Sequence, residues 1–429
     1  LADMWSVEEH LADVLRAVRP LAPLELPLLD ASGCVLAEDV TVPAPLPPFD
    51  NSSMDGYAVR TADVEGASEE FPATLTVIGD VAAGAGVLPT VGPGQAARIM
   101  TGAPVPPGAQ AVVPVEWTDG GLGGGPADAM APASTPHGAE VRVHRPATAG
   151  AHIRSRGSDA AAGTLALREG TVLGPPQLGL LAAVGRATAT VTPRPRAVVL
   201  STGSELAAPG QRLAPGQIHD SNSYMLTAAA QAAGAVAYRA TAVADDAATL
   251  RAALEDQLAR ADLVITSGGV SVGAYDVVKE ALDLESGVEF RRLAMQPGKP
   301  QGFGLIGGGR VPLFALPGNP VSSFVSFELF VRPALRAMAG HAPGTLHRPR
   351  VTARLAAEAP VRSPAGRRQF LRGTYLPPAP GAAPGSVRPV GGSGSHLIAA
   401  LAQADALIEI PENVTEAAPG DELTVLLLG

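Results

Sequence analysis

The sequence predicts a multidomain protein of α/β and β type, with a parallel-sheet α/β domain, a small inserted β domain and a C-terminal β-barrel-like domain. Three observations predict it. At 429 residues the chain exceeds what one hydrophobic core usually supports. Buried-strand runs alternate with helical patterns from Pro193 to about Gly340, the signature of βαβ units. Short alternating strands with turn signals fill Asp50 to about Val143, and strands punctuated by Pro and Gly follow His341. The expected organisation is a discontinuous N-terminal mixed domain (residues 1–44 and 143–192), the inserted β domain (45–142), the α/β domain (193–341) and the C-terminal β domain (342–429).

Taken in order, Ser6-Val7-Glu8-Glu9 is a capping box, followed by Val7, Leu11, Val14, Leu15 and Val18 at helical spacing. Prolines crowd Val40 to Pro48, and strands are expected over Ala73 to Ile78 and Ala111 to Glu116. The Gly/Ala/Pro-rich stretch from Asp119 to Gly138 reads as a mobile loop of little chemical consequence. In the α/β domain, Arg196 to Leu200 is a strand, Tyr224 to Ala233 a helix, and Val236 to Val243 extended. Asp246 caps a helix whose Leu250, Leu254 and Leu258 share one face. Gly302-Phe303-Gly304-Leu305-Ile306-Gly307 matches the dinucleotide fingerprint, yet a turn and a strand follow it. No helix N-terminus is there to receive a pyrophosphate. Asn319 and Pro320 start a helix over Val321 to Met338, and Val351 to Ala356 and Leu423 to Leu428 are late strands.

Composition narrows the function. Apolar residues make up 46% and aromatics 4%, so Ala, Val and Leu must fill the cores. The 49 glycines and 41 prolines indicate many turns in a globular chain. A formal charge of −10 argues against nucleic-acid or anionic-membrane partners, which need a basic footprint. The single cysteine, Cys34, excludes an internal disulfide, and the eight histidines lack metal-ligand spacing. No apolar run has the length of a membrane span, and the acidic opening lacks the features of a signal peptide, so a cytoplasmic location is expected.

Residues 261–276 place a buried strand before Ser267, Gly268, Gly269, Ser271 and Asp276, with Lys279 on the next helix, a pattern suited to a phosphorylated ligand. Two further loops follow, Pro297-Gly298-Lys299-Pro300 and Pro317-Gly318-Asn319-Pro320. The second leaves first-turn N–H groups free for an anion. A helix start alone explains its Asn and Pro, though not the Ser322 and Ser323 that follow. Ser201 to Leu206, which contains Glu205, lies at the carboxyl end of a strand, where open α/β sheets bind ligands. Asp220 serves equally well as helix cap or ligand group. Asp50 to Ala58, with Asp55, and Ile99 to Pro104, with Thr101, read as turns or as site segments.

The strings Asp50 to Arg60, Arg98 to Pro106, Arg154 to Asp159, Ser201 to Leu206, Ser267 to Lys279, Pro297 to Pro300, Leu316 to Ser322 and Ala404 to Ile408 together resemble the molybdopterin molybdenumtransferases, the MoeA proteins and the related domain of gephyrin. The resemblance implies an elongated homodimer whose α/β domain binds molybdopterin. It implies insertion of molybdate into adenylylated molybdopterin with release of AMP, aided by Mg²⁺, and transient contact with other enzymes of molybdenum cofactor synthesis. Carried over by position, Glu205, Asp220 and Asp276 are acidic active-site residues and Mg²⁺ ligands, and Asp55 and Thr101 complete the catalytic set from the β domain. Lys299, Ser322, Arg367 and Ser395 match oxyanion-holding positions. Gln296 stands where many relatives have Lys, and Ser204 where they often have Asp. Two rival functions share the fold: a molybdopterin adenylyltransferase, which resembles sequences with Thr where this chain has Val270, and a non-catalytic scaffold. Retention of Asp55, Glu205, Asp220 and Asp276 speaks against the scaffold.

Overall fold

The first helix, Val7–Ala17, begins where the capping signal places it: Ser6 Oγ accepts from Glu9 N, and the Glu9 carboxylate accepts from Ser6 N. The computed structural model describes residues 4–132, 138–240, 246–269, 277–282, 287–382 and 384–429, apart from the side chains of Val277 and Lys279. The chain divides into two compact units. One comprises Leu1–Glu38, Glu169–Leu178 and Ala187–Gly429; the other comprises Asp39–Arg168 and Gly179–Arg186.

In the larger unit a six-stranded sheet runs in the order Val236–Arg239, Arg196–Ser201, Leu263–Ser267, Val311–Leu316, Pro300–Ile306 and Val288–Arg292. The first four strands are parallel, and the last two join antiparallel. The sheet is therefore mixed where a parallel one was expected. The reason is the short Gly307–Gly309 turn between Pro300–Ile306 and Val311–Leu316, which is too brief for a parallel crossover. The glycines of the rejected dinucleotide fingerprint serve strand packing. A Cβ on Gly302 would lie 2.8 Å from Ala315 Cβ, and one on Gly304 would overlap the Gly287 carbonyl.

After Val311–Leu316 the chain turns through Asn319 into a helix at Pro320–Ser326, widens into a π turn at Phe327–Val331, and resumes at Arg332–Met338. The widening lies just before Pro333, whose missing N–H and bulky ring cannot be accommodated by a regular helix interior. Val14, Val199, Ile265, Phe314, Phe327 and Phe330 share one buried core with Met295, Phe370, Leu407 and Leu426. The C-terminal strands thus pack on the same core as the α/β sheet. They run in the order Arg368–Leu376, Gly385–Pro389, Arg350–Leu355, Glu422–Leu427 and Ala406–Ile410, and the last pairs back onto the first. That closure makes the expected barrel a true five-stranded one. Met295–Gln296 adds a short parallel pairing against Arg368–Gln369.

The smaller unit contains a five-stranded sheet ordered Ala111–Pro114, Gly56–Val59, Gln95–Ile99, Ala73–Val81 and Glu140–Val143. Alternation sends Tyr57 and Val59 to one buried cluster and Ala58 to another, so both faces are covered. The described part of the stretch after Asp119, residues 119–132, is not the free loop its composition suggests. Asp119 is buried and accepts from Gly121 N at 2.9 Å and Arg142 N at 3.0 Å. The buried Arg98 pairs with Asp80 and donates to Pro132 O at 2.9 Å. Polar groups spaced along a Gly-rich segment tie it down without any periodic signal.

His10 is 1% exposed, packed edge-on against Phe303 and Phe330, with Arg291 and Asp13 as its charged neighbours. Burial first, and Arg291 second, lower its pKa from 6.5 to about 4. The unfolded chain takes up this proton near pH 6.5 while the fold resists to about pH 4, so its contribution to stability is full at neutral pH and is lost as pH falls through that window. The loss is about 3 kcal/mol. Denaturant unfolding at pH 7 and pH 4 should therefore show a steeper acid loss in the wild type than in His10→Gln. Equal losses would mean that His10 is not held neutral.

Candidate functional site

Strand register brings three chain segments to one level. Ser201 pairs with Ser267, and Ser267 with Leu316, so the carboxyl ends of three parallel strands open side by side. A cavity of about 410 Å³ lies there, lined among others by Ser201, Thr202, Glu205, Asp220, Asn222, Ser267, Gly268, Gly318 and Asn319. Gly268 has φ +94°, and a Cβ on it would stand 2.9 Å from Thr202 O. Gly269, at φ +68°, would meet Val278 Cγ2 at 2.6 Å. Only glycines allow this turn to lie so close to its neighbours.

Glu205 and Asp220 are brought together by a short parallel ladder, Leu206–Ala207 against Ile218–His219, flanked by Ile218 N donating to Glu205 O at 2.8 Å and Asp220 N to Ala207 O at 2.9 Å. Glu205 is exposed at the rim. Asp220 is 4% exposed and heavily engaged: Oδ1 accepts from Ser201 Oγ at 3.0 Å and Ser223 N at 3.1 Å, and Oδ2 from Ser223 Oγ at 2.5 Å. Asp220 therefore fastens the first turn of the helix Asn222–Ala232 and also lines the cavity. Asn319 occupies the N-cap position without a side-chain cap bond, so its amide is not used for capping. The two serines after it differ in task. Ser323 Oγ donates to Pro317 O at 2.6 Å and fixes the loop, whereas Ser322 faces a second cavity.

That second cavity, of about 420 Å³, is lined by Gln296 to Pro300, Ser322, Arg367 and Ser393 to His396. It gathers all four residues expected to hold an oxyanion: Lys299, Ser322, Arg367 and Ser395. Among the described residues no carboxylate lines it, and neither the Lys299 ammonium nor the Arg367 guanidinium has an ion-pair or hydrogen-bond partner. Gln301 Nε2 holds its floor through Gly298 O at 2.7 Å and Ser326 Oγ at 2.6 Å. Val321 N donates to Ser395 O at 3.0 Å, docking the C-terminal loop on the helix start.

Two residues of this region carry no sequence signal that singles them out. His396 lines both cavities but stands in an aperiodic Gly/Ser loop. Arg372, in the middle of a barrel strand, is 1% exposed, donates to Gly392 O and so tethers the loop that carries Ser395. Burial lowers its pKa.

In the smaller unit Asp55 Oδ1 accepts from Thr101 N at 2.7 Å and Thr101 Oγ1 at 2.9 Å, so these two expected residues form one exposed pair. Ser271 and Asp276 lie outside the described residues, as does the Lys279 side chain. Among the described residues no group of three or more His, Cys, Asp or Glu could hold a metal ion.

Three family descriptions match the chain: the MoeA N-terminal region (domain I and II) over residues 5–185, a probable molybdopterin binding domain over 198–337, and the MoeA C-terminal region (domain IV) over 354–428. A Mycobacterium tuberculosis protein named molybdopterin molybdenumtransferase 2 is 47% identical over 428 residues, covering 98% of this chain and 99% of its own. Molybdopterin molybdenumtransferase 1 of the same organism is 38% identical, covering 99% of both. Among solved structures, a molybdopterin biosynthesis MoeA protein from Pyrococcus horikosii superposes with a TM-score of 0.75 at 33% identity over 99% of both chains.

Removing the Asp220 carboxylate strands two serine hydroxyls and a backbone N–H in a dry place. Asp220→Ala should cost roughly 1–3 kcal/mol in denaturant unfolding, and Asp220→Asn less, because one acceptor oxygen remains. Unaltered stability in Asp220→Ala would show that these bonds do not hold the helix start.

Proposed function

The chain belongs to the MoeA family, and from that premise we infer that it catalyses the molybdopterin molybdenumtransferase reaction, inserting molybdate into adenylylated molybdopterin and releasing AMP. The observation that carries the reading is the pair of neighbouring cavities, one bearing Glu205 and Asp220, the other bearing Lys299 and Arg367 without any described carboxylate, with His396 lining both. A pterin nucleotide and a small oxyanion need such adjacent but chemically different sites. The match along nearly the whole chain favours this transfer over the adenylyltransferase alternative.

In this reading Lys299 and Arg367 supply positive charge to the molybdate dianion, and the Ser322 and Ser395 hydroxyls donate to its oxygens. Gln296 adds an amide to the cavity where many relatives have a charge, leaving Lys299 and Arg367 as its charged groups among the described residues. Glu205 and Asp220 would hold Mg²⁺ together with substrate phosphates, with Asp276 as a further ligand. Mg²⁺ commonly binds through one or two carboxylates plus phosphate oxygens, and Glu205 and Asp220 line one cavity where they could supply them. Bound there, the ion would neutralise phosphate charge. The homodimer that the family resemblance implies, with the Asp55–Thr101 pair of one subunit completing the cleft of the other, belongs to the same reading. A cytoplasmic location and contact with other cofactor-synthesis enzymes complete the proposal.

The purified chain, given adenylylated molybdopterin, molybdate and Mg²⁺, should release AMP in a molybdate-dependent manner; AMP release that ignores molybdate would contradict the reading. Lys299→Ala should raise the KM for molybdate roughly tenfold or more while leaving pterin binding intact, because one charge-assisted donor is lost. Activity that excess molybdate cannot restore would remove Lys299 from the oxyanion site. Mixing the inactive variants Asp55→Ala and Glu205→Ala under subunit exchange should recover roughly a quarter of wild-type activity, since about half the dimers are mixed and each has one intact cleft. Inactive mixed dimers would confine the chemistry to one chain.

A further inference from the structure

We propose that His396 is a catalytic residue of the transfer, an acid–base group that carries protons from the dithiol of the pterin substrate to the oxygen that leaves molybdate. The inference rests on the reading of the two cavities given above. Among the described residues only His396 lines both. The partition between them is the helix start: Gly318, Asn319 and Pro320 line the first cavity, Ser322 lines the second, and Val321 N donates to Ser395 O at 3.0 Å. That bond fixes the backbone immediately before His396, while its side chain stays free. The residue is exposed, and neither ring nitrogen has a hydrogen-bond partner. The ring lies over Gly394, which lines the second cavity: a Cβ there would stand 3.0 Å from His396 Cε1, 3.2 Å from Leu397 Cγ and 3.3 Å from His396 Nδ1. Gly394 lies outside the left-handed region, so what its missing side chain provides is room for the imidazole and Leu397.

The chemistry needs such a group. When the dithiol takes up molybdate, two S–H bonds and one Mo–O bond break, two Mo–S bonds form, and the oxygen departs as water with both protons. The oxidation state of molybdenum and the total charge are unchanged. An oxide does not leave unprotonated, so something must move protons from the pterin cavity to the oxyanion cavity. Imidazole both accepts and donates a proton near neutral pH, and His396 passes the two protons in turn and ends as it began. The other candidates are engaged. Asp220 accepts from Ser201 and twice from Ser223, His219 Nε2 meets Gln211 O at 2.9 Å, and Glu205 is taken by Mg²⁺ in this reading. Lys299 and Arg367 donate but do not accept.

The full-length variants His396→Ala and His396→Gln test this with adenylylated molybdopterin, molybdate and Mg²⁺. Mo–S bond formation is followed by its visible absorption and AMP release by chromatography, both in single turnover at saturating substrates, and the dissociation constants of molybdate and of the pterin nucleotide are measured separately. Both variants should keep those constants within about twofold and lose roughly a hundredfold or more in the rate of Mo–S bond formation. Added imidazole should restore part of that rate to His396→Ala. A rate near that of the wild type, a loss that saturating molybdate removes, or a loss that imidazole leaves untouched overturns the proposal. So does Mo–S bond formation at the wild-type rate with AMP release alone slowed, which would move His396 to the phosphate chemistry. A wild type without molybdate-dependent AMP release overturns the reading of the cavities and this inference with it.

Discussion

The common level of three parallel strand ends is the constraint on which the chemistry depends. Ser201, Ser267 and Leu316 sit in register, so the segments that follow must leave the sheet together and crowd one another. Crowding accounts for the Gly268–Gly269 turn, for the serine and asparagine that bridge between loops, and for the carboxylate of Asp220 fastened under the next helix. None of these groups could hold its place if the sheet slipped by one residue, because every side chain would change face.

Continuity of the core carries that order outward. Phe314, Phe327 and Phe330 pack in the same cluster as Met295, Phe370 and Leu407, which binds the barrel to the α/β sheet. The C-terminal loop is then held from two directions, by Val321 N on Ser395 O and by the buried Arg372 on Gly392 O. Lys299 and Arg367, whose side chains have no ion-pair partner among the described residues, place two positive charges in the second cavity of a chain with net charge −10. Near a protein surface opposite charges about 4 Å apart attract by roughly 4 kcal/mol, enough to favour a dianion at such a point within an acidic molecule.

Much of this was legible in the sequence because local rules decide it. The capping box at Ser6 and Glu9, the strand over Arg196–Ser201, the Asp246 cap and the late strands all appear where their patterns put them. Lys299, Ser322, Arg367 and Ser395, which family resemblance singles out and spacing alone could not, line one cavity. What escaped depends on distant partners. The antiparallel pair at the sheet edge follows from pairing across the Gly307–Gly309 turn, and the order after Asp119 from a buried carboxylate and the reach of Arg98. Nothing in the sequence marks Asn222, whose amide is fixed by bonds to Ser267 and Gly318.

The central claim is that the cavity bearing Lys299 and Arg367 is the oxyanion site. Anomalous diffraction from crystals of the protein soaked in tungstate, a heavy analogue of molybdate, tests it most directly. The account predicts one tungsten peak among Lys299, Ser322, Arg367 and Ser395 that disappears when Lys299 and Arg367 are both replaced by Ala. A peak at another site, with this cavity empty in the wild type, would contradict it.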